Sequence, residues 1–417
     1  MINKLFEYLK VKNISYCILN GYEHLTNTLN TENDIDILFR KDDFKNIESV
    51  LKNFCNLHQY SIVQNYHQER YAKNIFLYDF ENNQFLNLDI YGELSRKGVV
   101  YFSEKEIFNT LSNYKDIPIL STEKEFIQYL IKKLDKNDCS LATFNKLKEL
   151  FDILTDEQLL ILNKFFDTTY NEIKNSFVKN EIKKLNNNSN KIIQSFLKKK
   201  KFSISSFSYN SIRILKRIIK PTGLTIAFLG PDGSGKSTII DKVQTSVLPF
   251  RRIDYFHLKP ILQKNGDSST SEPHALKPYS FSKSYIKLLY FIYQYSLGWL
   301  KNISILKIKS SLVIFDRYYD DILVDHKRYR YGASKKIAKL FRYFIPKPDL
   351  YFILTTDADI IYKRKQEVPF EELERQINEY RKLGDEKKYF NIDVNRTPDE
   401  ISKEIIDILA RKMNERY

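Results

Sequence analysis

Apolar and polar positions follow two rhythms along the first part of the chain. Ile2 to Val11 repeats its apolar residues at helical spacing, whereas Ser15 to Leu19 and Ile35 to Phe39 are short apolar runs that predict strands. Asp43 to Phe54 reads as a helix. Ile75 to Tyr78 and Phe85 to Ile90 read as paired strands on either side of a Glu81-Asn82-Asn83 turn. From Thr122 to about Asn180 the pattern is helical throughout, opened by the capping signal Ser121-Thr122-Glu123-Lys124-Glu125. Asn186-Asn187-Asn188-Ser189-Asn190 reads as a polar breaker, and behind it come the basic run Lys198 to Lys201, a serine-rich stretch and a basic-apolar segment ending at Pro221. Beyond Pro221, strand and helix signals alternate in the βα manner of a parallel sheet. No internal repeat is visible. The pattern divides the chain into a first domain over 1–120, a helical extension over 121–195, a basic linker over 196–221 and a second domain over 222–417.

Length agrees with that division, since 417 residues exceed what one compact core usually serves. A hydrophobic content of 42% and an aromatic content of 14% are ample for buried cores, so the chain is globular. Lys, Asn, Ile and Tyr are abundant while Gly and Pro are scarce, a bias that fits an AT-rich bacterial genome. The formal charge of +15 suits an anionic partner such as a nucleotide, a nucleic acid or an acidic membrane surface; a lysine-rich solvated surface is the plain alternative. The basic segment before Pro221 alternates apolar and basic residues at helical spacing. It reads as a basic linker, or as a peripheral contact with an anionic membrane or with nucleic acid. Cys17, Cys55 and Cys139 are too few and too scattered for a disulfide framework or a zinc site. With no signal peptide at the start, a reducing cytoplasm is expected. Tyr285 to Leu300 is the most membrane-like stretch, but it falls short of a span and Lys287 and Gln294 interrupt it; a buried or partner-facing helix is expected.

The strongest chemical signal lies just after the first strand of the second domain. Leu224 to Leu229 runs into Gly230, Pro231, Asp232, Gly233, Ser234, Gly235, Lys236, Ser237 and Thr238, which match G-x-x-x-x-G-K-[ST], and a helix follows to about Val247. The glycines let the backbone curl so that its N–H groups face phosphates, and the helix N-terminus adds a favourable dipole. Lys236 is expected on the β- and γ-phosphates of ATP and the Ser237 hydroxyl on Mg²⁺. A second strand, Ser311 to Phe315, delivers Asp316 at its carboxyl end as a further magnesium ligand, with Arg317 next in line to reach a phosphate. A buried structural Asp–Arg pair is the alternative.

This loop together with Asp316-Arg317-Tyr318 resembles the thymidylate kinase family of nucleoside monophosphate kinases. The resemblance implies a parallel-sheet P-loop fold and transfer of the ATP γ-phosphoryl group to a nucleotide, and it leaves room for a homodimer. It implies that Asp232 contacts the sugar hydroxyl of the acceptor and that Arg317 holds the acceptor phosphate. Lys347-Pro348-Asp349-Leu350 leads into a strand as in the family, and a helix from Asp357 to Lys365 carries Lys363 and Arg364. Gln366 to Leu383, with Arg375 and Arg381, resembles the lid that closes over ATP; Arg364 is the preferred catalytic cation. Tyr389 to Asp393 and the helix from Pro398 resemble the last strand and helix, whose loop lies against the adenine. The chain departs from the family in the long insert carrying His257, Pro260, Pro273 and His274, and in the Arg- and Tyr-rich run from Asp320 to Gly332, where the acceptor should bind.

In the first domain Asp34 and Asp36 are one residue apart on a strand, so both side chains project from one face, and Asp89 stands between apolar neighbours on a later strand. Three converging carboxylates are what a two-metal magnesium site needs. The spacing resembles the nucleotidyltransferase superfamily, with Asn20-Gly21-Tyr22 where a Gly-Ser turn is expected, and implies an α+β domain, either active or binding-only. The composite is expected to be a phosphotransferase acting on a nucleoside monophosphate. The alternatives are a sugar acceptor in surface-polysaccharide assembly and an ATP-dependent regulatory switch.

Overall fold

The computed structural model describes residues 1–25, 34–199, 204–261, 274 and 276–417. Asn33, Pro273 and the Lys200-Lys201 end of the basic run lie outside the described residues. The chain divides into two compact units, Met1–Arg213 with Arg416–Tyr417, and Ile214–Glu415.

The first unit is built on a mixed sheet. Its strands are β1 (Tyr16–Ile18), β2 (Ile35–Phe39), β3 (Tyr60–Glu69), β4 (Ala72–Asp79), β5 (Gln84–Tyr91), β8 (Ser112–Tyr114) and β9 (Ile117–Ile119), in the order β3-β4-β5-β2-β1-β9-β8, and a small ribbon pairs β6 (Ser95–Arg96) with β7 (Val99–Val100). The strand period of two sends alternate residues of β2 into two cores. Ile35, Ile37 and Phe39 pack with Phe44, Ile47, Leu51 and Phe54 of the Lys41–His58 helix. Leu38 turns to the other face, where the helices Thr122–Asp135, Leu141–Asp152, Asp156–Phe166, Tyr170–Val178 and Ile182–Leu197 close a second core around Phe126, Phe144, Phe151 and Phe177. Asp36 alternates with Ile35 and Ile37 and so belongs to this helical side.

The polar run Asn186 to Asn190, expected to break the chain, lies inside the Ile182–Leu197 helix. Each asparagine costs a helix interior about 0.5–0.7 kcal/mol, whereas burying Leu185, Ile192, Ile193 and Phe196 yields roughly 1.5–3 kcal/mol per side chain. Packing outweighs propensity. The segment expected as a linker is likewise helical over Ile204–Ile219.

The second unit holds a five-stranded sheet of β10 (Leu224–Leu229), β11 (Arg252–His257), β12 (Ser311–Asp316), β13 (Leu350–Thr355) and β14 (Tyr389–Asp393), ordered β11-β12-β10-β13-β14 with every neighbouring pair parallel. All six residues of β10 are buried, as a central parallel strand covered on both faces requires. Leu224, Ile226 and Phe228 pack with Ile239, Ile240 and Val243 of the Lys236–Thr245 helix and Ile401, Ile405 and Leu409 of the Pro398–Asn414 helix. Ala227 and Leu229 face Phe291 and Tyr295 of the Phe281–Gly298 helix. That helix carries most of the Tyr285 to Leu300 stretch, one face buried and the other exposed, and a π-helical turn follows at Trp299–Ile303. Among the described residues no helix is long and apolar enough to cross a membrane. The segment resembling a lid is largely the Phe370–Arg381 helix, anchored by buried Leu373, Ile377 and Tyr380.

Candidate functional site

Central strand β10 ends at the phosphate loop, and in open α/β sheets ligands sit beyond the carboxyl ends of the strands. Gly230 takes φ +143°, and a Cβ there would lie 2.4 Å from the Leu354 carbonyl oxygen, so a side chain has no room. Gly235, at φ +81°, turns the backbone into the Lys236–Thr245 helix as its N-cap. Lys236 is buried, with Nζ donating to the carbonyls of Gly230 at 2.8 Å and Pro231 at 2.7 Å. Burial, aided by the charge of Arg317, presses its ammonium down to about 7. Ser234 is buried, while Ser237 and Thr238 at the start of the helix are exposed.

Strand β12 sets Asp316 beside the loop, and β11, which the sequence pattern did not reveal, adds two partners. His257 is the register partner of Asp316, with Nδ1 3.8 Å from Asp316 Oδ2, and the Tyr255 hydroxyl donates to the same oxygen at 3.1 Å. Burial pushes the Asp316 carboxyl up, but the His257 contact and the charges of Lys236 and Arg317 leave it below the usual range. Its other oxygen, Oδ1, is buried without a hydrogen-bond partner among the described residues. An orphaned carboxylate oxygen and an exposed Ser237 hydroxyl lining the same cleft fit the oxygen donor set that magnesium prefers.

Arg317 follows in a left-handed conformation, φ +70°, which disfavours any residue with a Cβ. Its guanidinium is buried between two carboxylates. Asp321 accepts from Nη1 at 2.9 and 3.2 Å, and Asp232 of the phosphate loop pairs with Nη2. Asp321 is fully buried and also accepts from the hydroxyls of Tyr329, at 2.7 Å, and Tyr380. A second arginine, Arg328, closes on the free side of Asp232. Burial works against ionisation of Asp232, but its hydrogen bond to Glu367 and the charges of Arg317, Lys236 and Arg328 hold the carboxyl far below the usual range.

Asp232, Lys236, Ser237, His257, Asp316, Arg317 and Arg328 line a cleft of about 350 Å³ together with Arg364 and Lys365. Arg364 Nη2 donates to the Val394 carbonyl at 3.4 Å, in the loop after β14. Arg375 and Arg381 do not join the cleft: Arg375 is spent on Glu372 and the Val324 carbonyl, and Arg381 lies 3.8 Å from Asp357. Reading by sequence missed Arg328, Lys365 and the pairing of His257 with Asp316. The one available signal was the density of Arg and Tyr from Asp320 to Gly332. His274 instead pairs with Asp325 at 2.8 Å.

The first unit brings Asp36 and Asp89 together as register partners on the parallel strands β2 and β5. Burial and the nearby charges of Asp36 and Asp34 raise the Asp89 carboxyl to about 6. The trio is nevertheless not three open ligands. Lys132 Nζ sits 2.6 Å from Asp36 Oδ2, Asn74 donates to Asp89 at 2.6 Å, and Asn87 donates to Asp34. Asn20, from the expected turn, reaches Asp36 at 3.4 Å and Gln128 at 3.2 Å. Among the described residues no group of three or more His, Cys, Asp or Glu is arranged to hold a metal ion. As arranged, Asp34, Asp36 and Asp89 belong to a hydrogen-bonded cluster with an internal cation, Lys132.

No protein-family model matches the chain, and no curated protein matches it. Among solved structures, a thymidylate kinase from Candida albicans aligns at 21% identity over 47% of this chain and 94% of that chain, with a TM-score of 0.34. A thymidylate kinase from Ehrlichia chaffeensis aligns at 18% identity over 45% of this chain and 99% of that chain, with a TM-score of 0.31.

Proposed function

We propose that the second unit is an ATP-dependent phosphotransferase of the nucleoside monophosphate kinase type, acting on an acceptor that carries an anionic group. One observation carries this reading: a phosphate loop with a buried lysine faces two arginines that converge on a single loop carboxylate, Asp232. The backbone amides of Gly233 to Thr238 and the Lys236 ammonium would take the β- and γ-phosphates. Lys236 would exchange its two carbonyl partners for phosphate oxygens, and the added negative charge would restore its full protonation. Arg317 and Arg328 would exchange Asp232 for the acceptor anion, freeing that carboxylate to accept from an acceptor hydroxyl. Arg364 stands in the same cleft, where a cation offsets charge on the transferring phosphoryl group. The acceptor oxygen bonds to the γ-phosphorus as the bond to the bridging oxygen breaks and ADP leaves. Ser237 and Asp316 Oδ1 would hold a magnesium ion, whose chemistry is neutralisation of phosphate charge. A neutral sugar would offer the two arginines no anion in exchange, which favours a phosphorylated acceptor over it.

In the first unit the Lys132–Asp36 pair favours a binding role over metal-dependent transfer. The test of the kinase reading is ATP consumption with Mg²⁺ against a panel of nucleoside monophosphates, nucleosides, sugars and sugar phosphates, with Lys236→Ala as control. Turnover that needs Lys236 and a phosphorylated acceptor is expected. Turnover retained in Lys236→Ala would sink the site assignment, and tight ATP binding without turnover on any acceptor would move the reading to a switch.

A further inference from the structure

The Phe281–Gly298 helix buries Leu288, Phe291 and Tyr295 and leaves its opposite face bare. Ile286, Leu289, Tyr290 and Tyr293 lie along that face and Leu300 extends it; Ile286, Tyr293 and Leu300 are 64%, 60% and 71% exposed. Lys283 and Lys301 stand at either end of the row, also exposed. Single exposed apolar residues are ordinary on soluble proteins, but a contiguous row marks a surface that meets something.

Charge identifies the partner. The sequence from Leu276 to Phe315 contains six lysines and no acidic residue, and His326 to Pro348 contains eight Lys or Arg and no acidic residue. Together they carry a formal +14 of the chain's +15. The two segments pack side by side, with the Tyr285 and Phe341 rings 5.3 Å apart and Arg330 over the Tyr279 ring at 4.2 Å. Some of these cations are used internally, as Arg328 is on Asp232, Arg342 on Asp320 and Lys307 on Asp349. Lys277, Lys283, Lys301, Lys336, Lys339 and Lys347 are exposed, and among the described residues none of them forms an ion pair.

We propose that this face docks on an anionic lipid bilayer, with the apolar row at the boundary between headgroups and acyl chains and the lysines on lipid phosphates. A helix with one apolar, tyrosine-bearing face and lysines around it is suited to lie in the interface, where tyrosine rings concentrate and lysine stems reach up to the headgroups. A second copy fits worse, because a two-fold contact sets a patch against itself and would bring lysines onto lysines with no acid between them. A nucleic-acid backbone fits worse too, since the aliphatic row offers its phosphates no donor.

The test is co-sedimentation of the full-length chain with vesicles of phosphatidylcholine alone and of phosphatidylcholine mixed with phosphatidylglycerol. Binding to the mixed vesicles, weakened by salt, is expected, with little binding to the neutral ones. Ile286→Glu with Tyr293→Glu should lower the partition at least about tenfold without altering thermal unfolding, because both side chains are on the surface. Lys283→Glu with Lys301→Glu should also lower it at least about tenfold, from about fivefold per lysine lost, and flatten the salt dependence. Equal binding to neutral and mixed vesicles, or unaltered binding by either double variant, would overturn the proposal. So would a dimer in sedimentation velocity that Ile286→Glu with Tyr293→Glu dissolves, or retention on duplex DNA lost in the same variant.

Discussion

Replacing Lys236 by methionine should make the second unit more stable while removing the ATP turnover proposed for it. The native lysine is held at about 7 by burial and by Arg317, against an ordinary value of about 10.4. At about 1.36 kcal/mol per pH unit, folding must supply roughly 4–5 kcal/mol to keep that side chain where it is at neutral pH. Methionine is similar in length and carries no charge, but it leaves the Gly230 and Pro231 carbonyls without their donor, at about 1 kcal/mol each. The net expectation is a gain of about 2–3 kcal/mol. Trp299 is the single tryptophan of the chain and lies within Ile214–Glu415, so its emission in a urea titration reads this unit. The pH dependence supplies an independent check. Between about 7 and about 10.4 the unfolded chain holds a proton that the native lysine has released. Wild-type stability should therefore rise with pH from about 7 upward and be flat in this contribution below it, while Lys236→Met lacks the rise. Turnover of ATP should fall at least about 10²-fold. A variant less stable than wild type at pH 7, or one with the wild-type slope between pH 7 and 9, would refute the reasoning.

Three further outcomes test other parts of the structure. Gly230→Ala should cost at least about 2 kcal/mol in the Trp299 titration, because its Cβ would sit 2.4 Å from the Leu354 carbonyl oxygen. Asp321→Asn removes a charge from a fully buried pair with Arg317; it should cost about 3–5 kcal/mol and raise the acceptor KM more than that of ATP, and equal changes in both would argue against Arg317 as an acceptor group. Asp89 is raised to about 6, so the stability it contributes is present below about 3.9 and is lost as pH climbs through about 6. Asp89→Asn should therefore stabilise the first unit at pH 7 by roughly 3 kcal/mol, seen as slower amide exchange in β2 and β5, and unchanged exchange would count against the raised value.

What the sequence determined by itself is what lies close together along the chain. Leu224 to Thr238 specifies a buried strand, a glycine-rich turn and a helix start within fifteen residues, since φ preferences, apolar runs and capping are local properties. The same holds for β2, found over Ile35–Phe39 as expected, and for the β4–β5 hairpin around Asn82. Local signals fail where partners are distant. Nothing near Asp36 announces Lys132, which lies 96 residues on and reaches it only because the Thr122–Asp135 helix covers that face of the sheet. Nothing in Arg252–His257 marks an edge strand, because Phe256 is its one buried residue and the run alternates weakly, yet its register sets His257 on Asp316. The helix through Asn186 to Asn190 exists only because a core is there to bury its apolar side. Arg328 illustrates the remainder: its charge is plain in the sequence, but its placement on Asp232, 96 residues earlier, depends on a fold that brings the two together. Tertiary structure decided these pairings, because a charge taken out of water needs a counter-charge and here a distant segment supplies it.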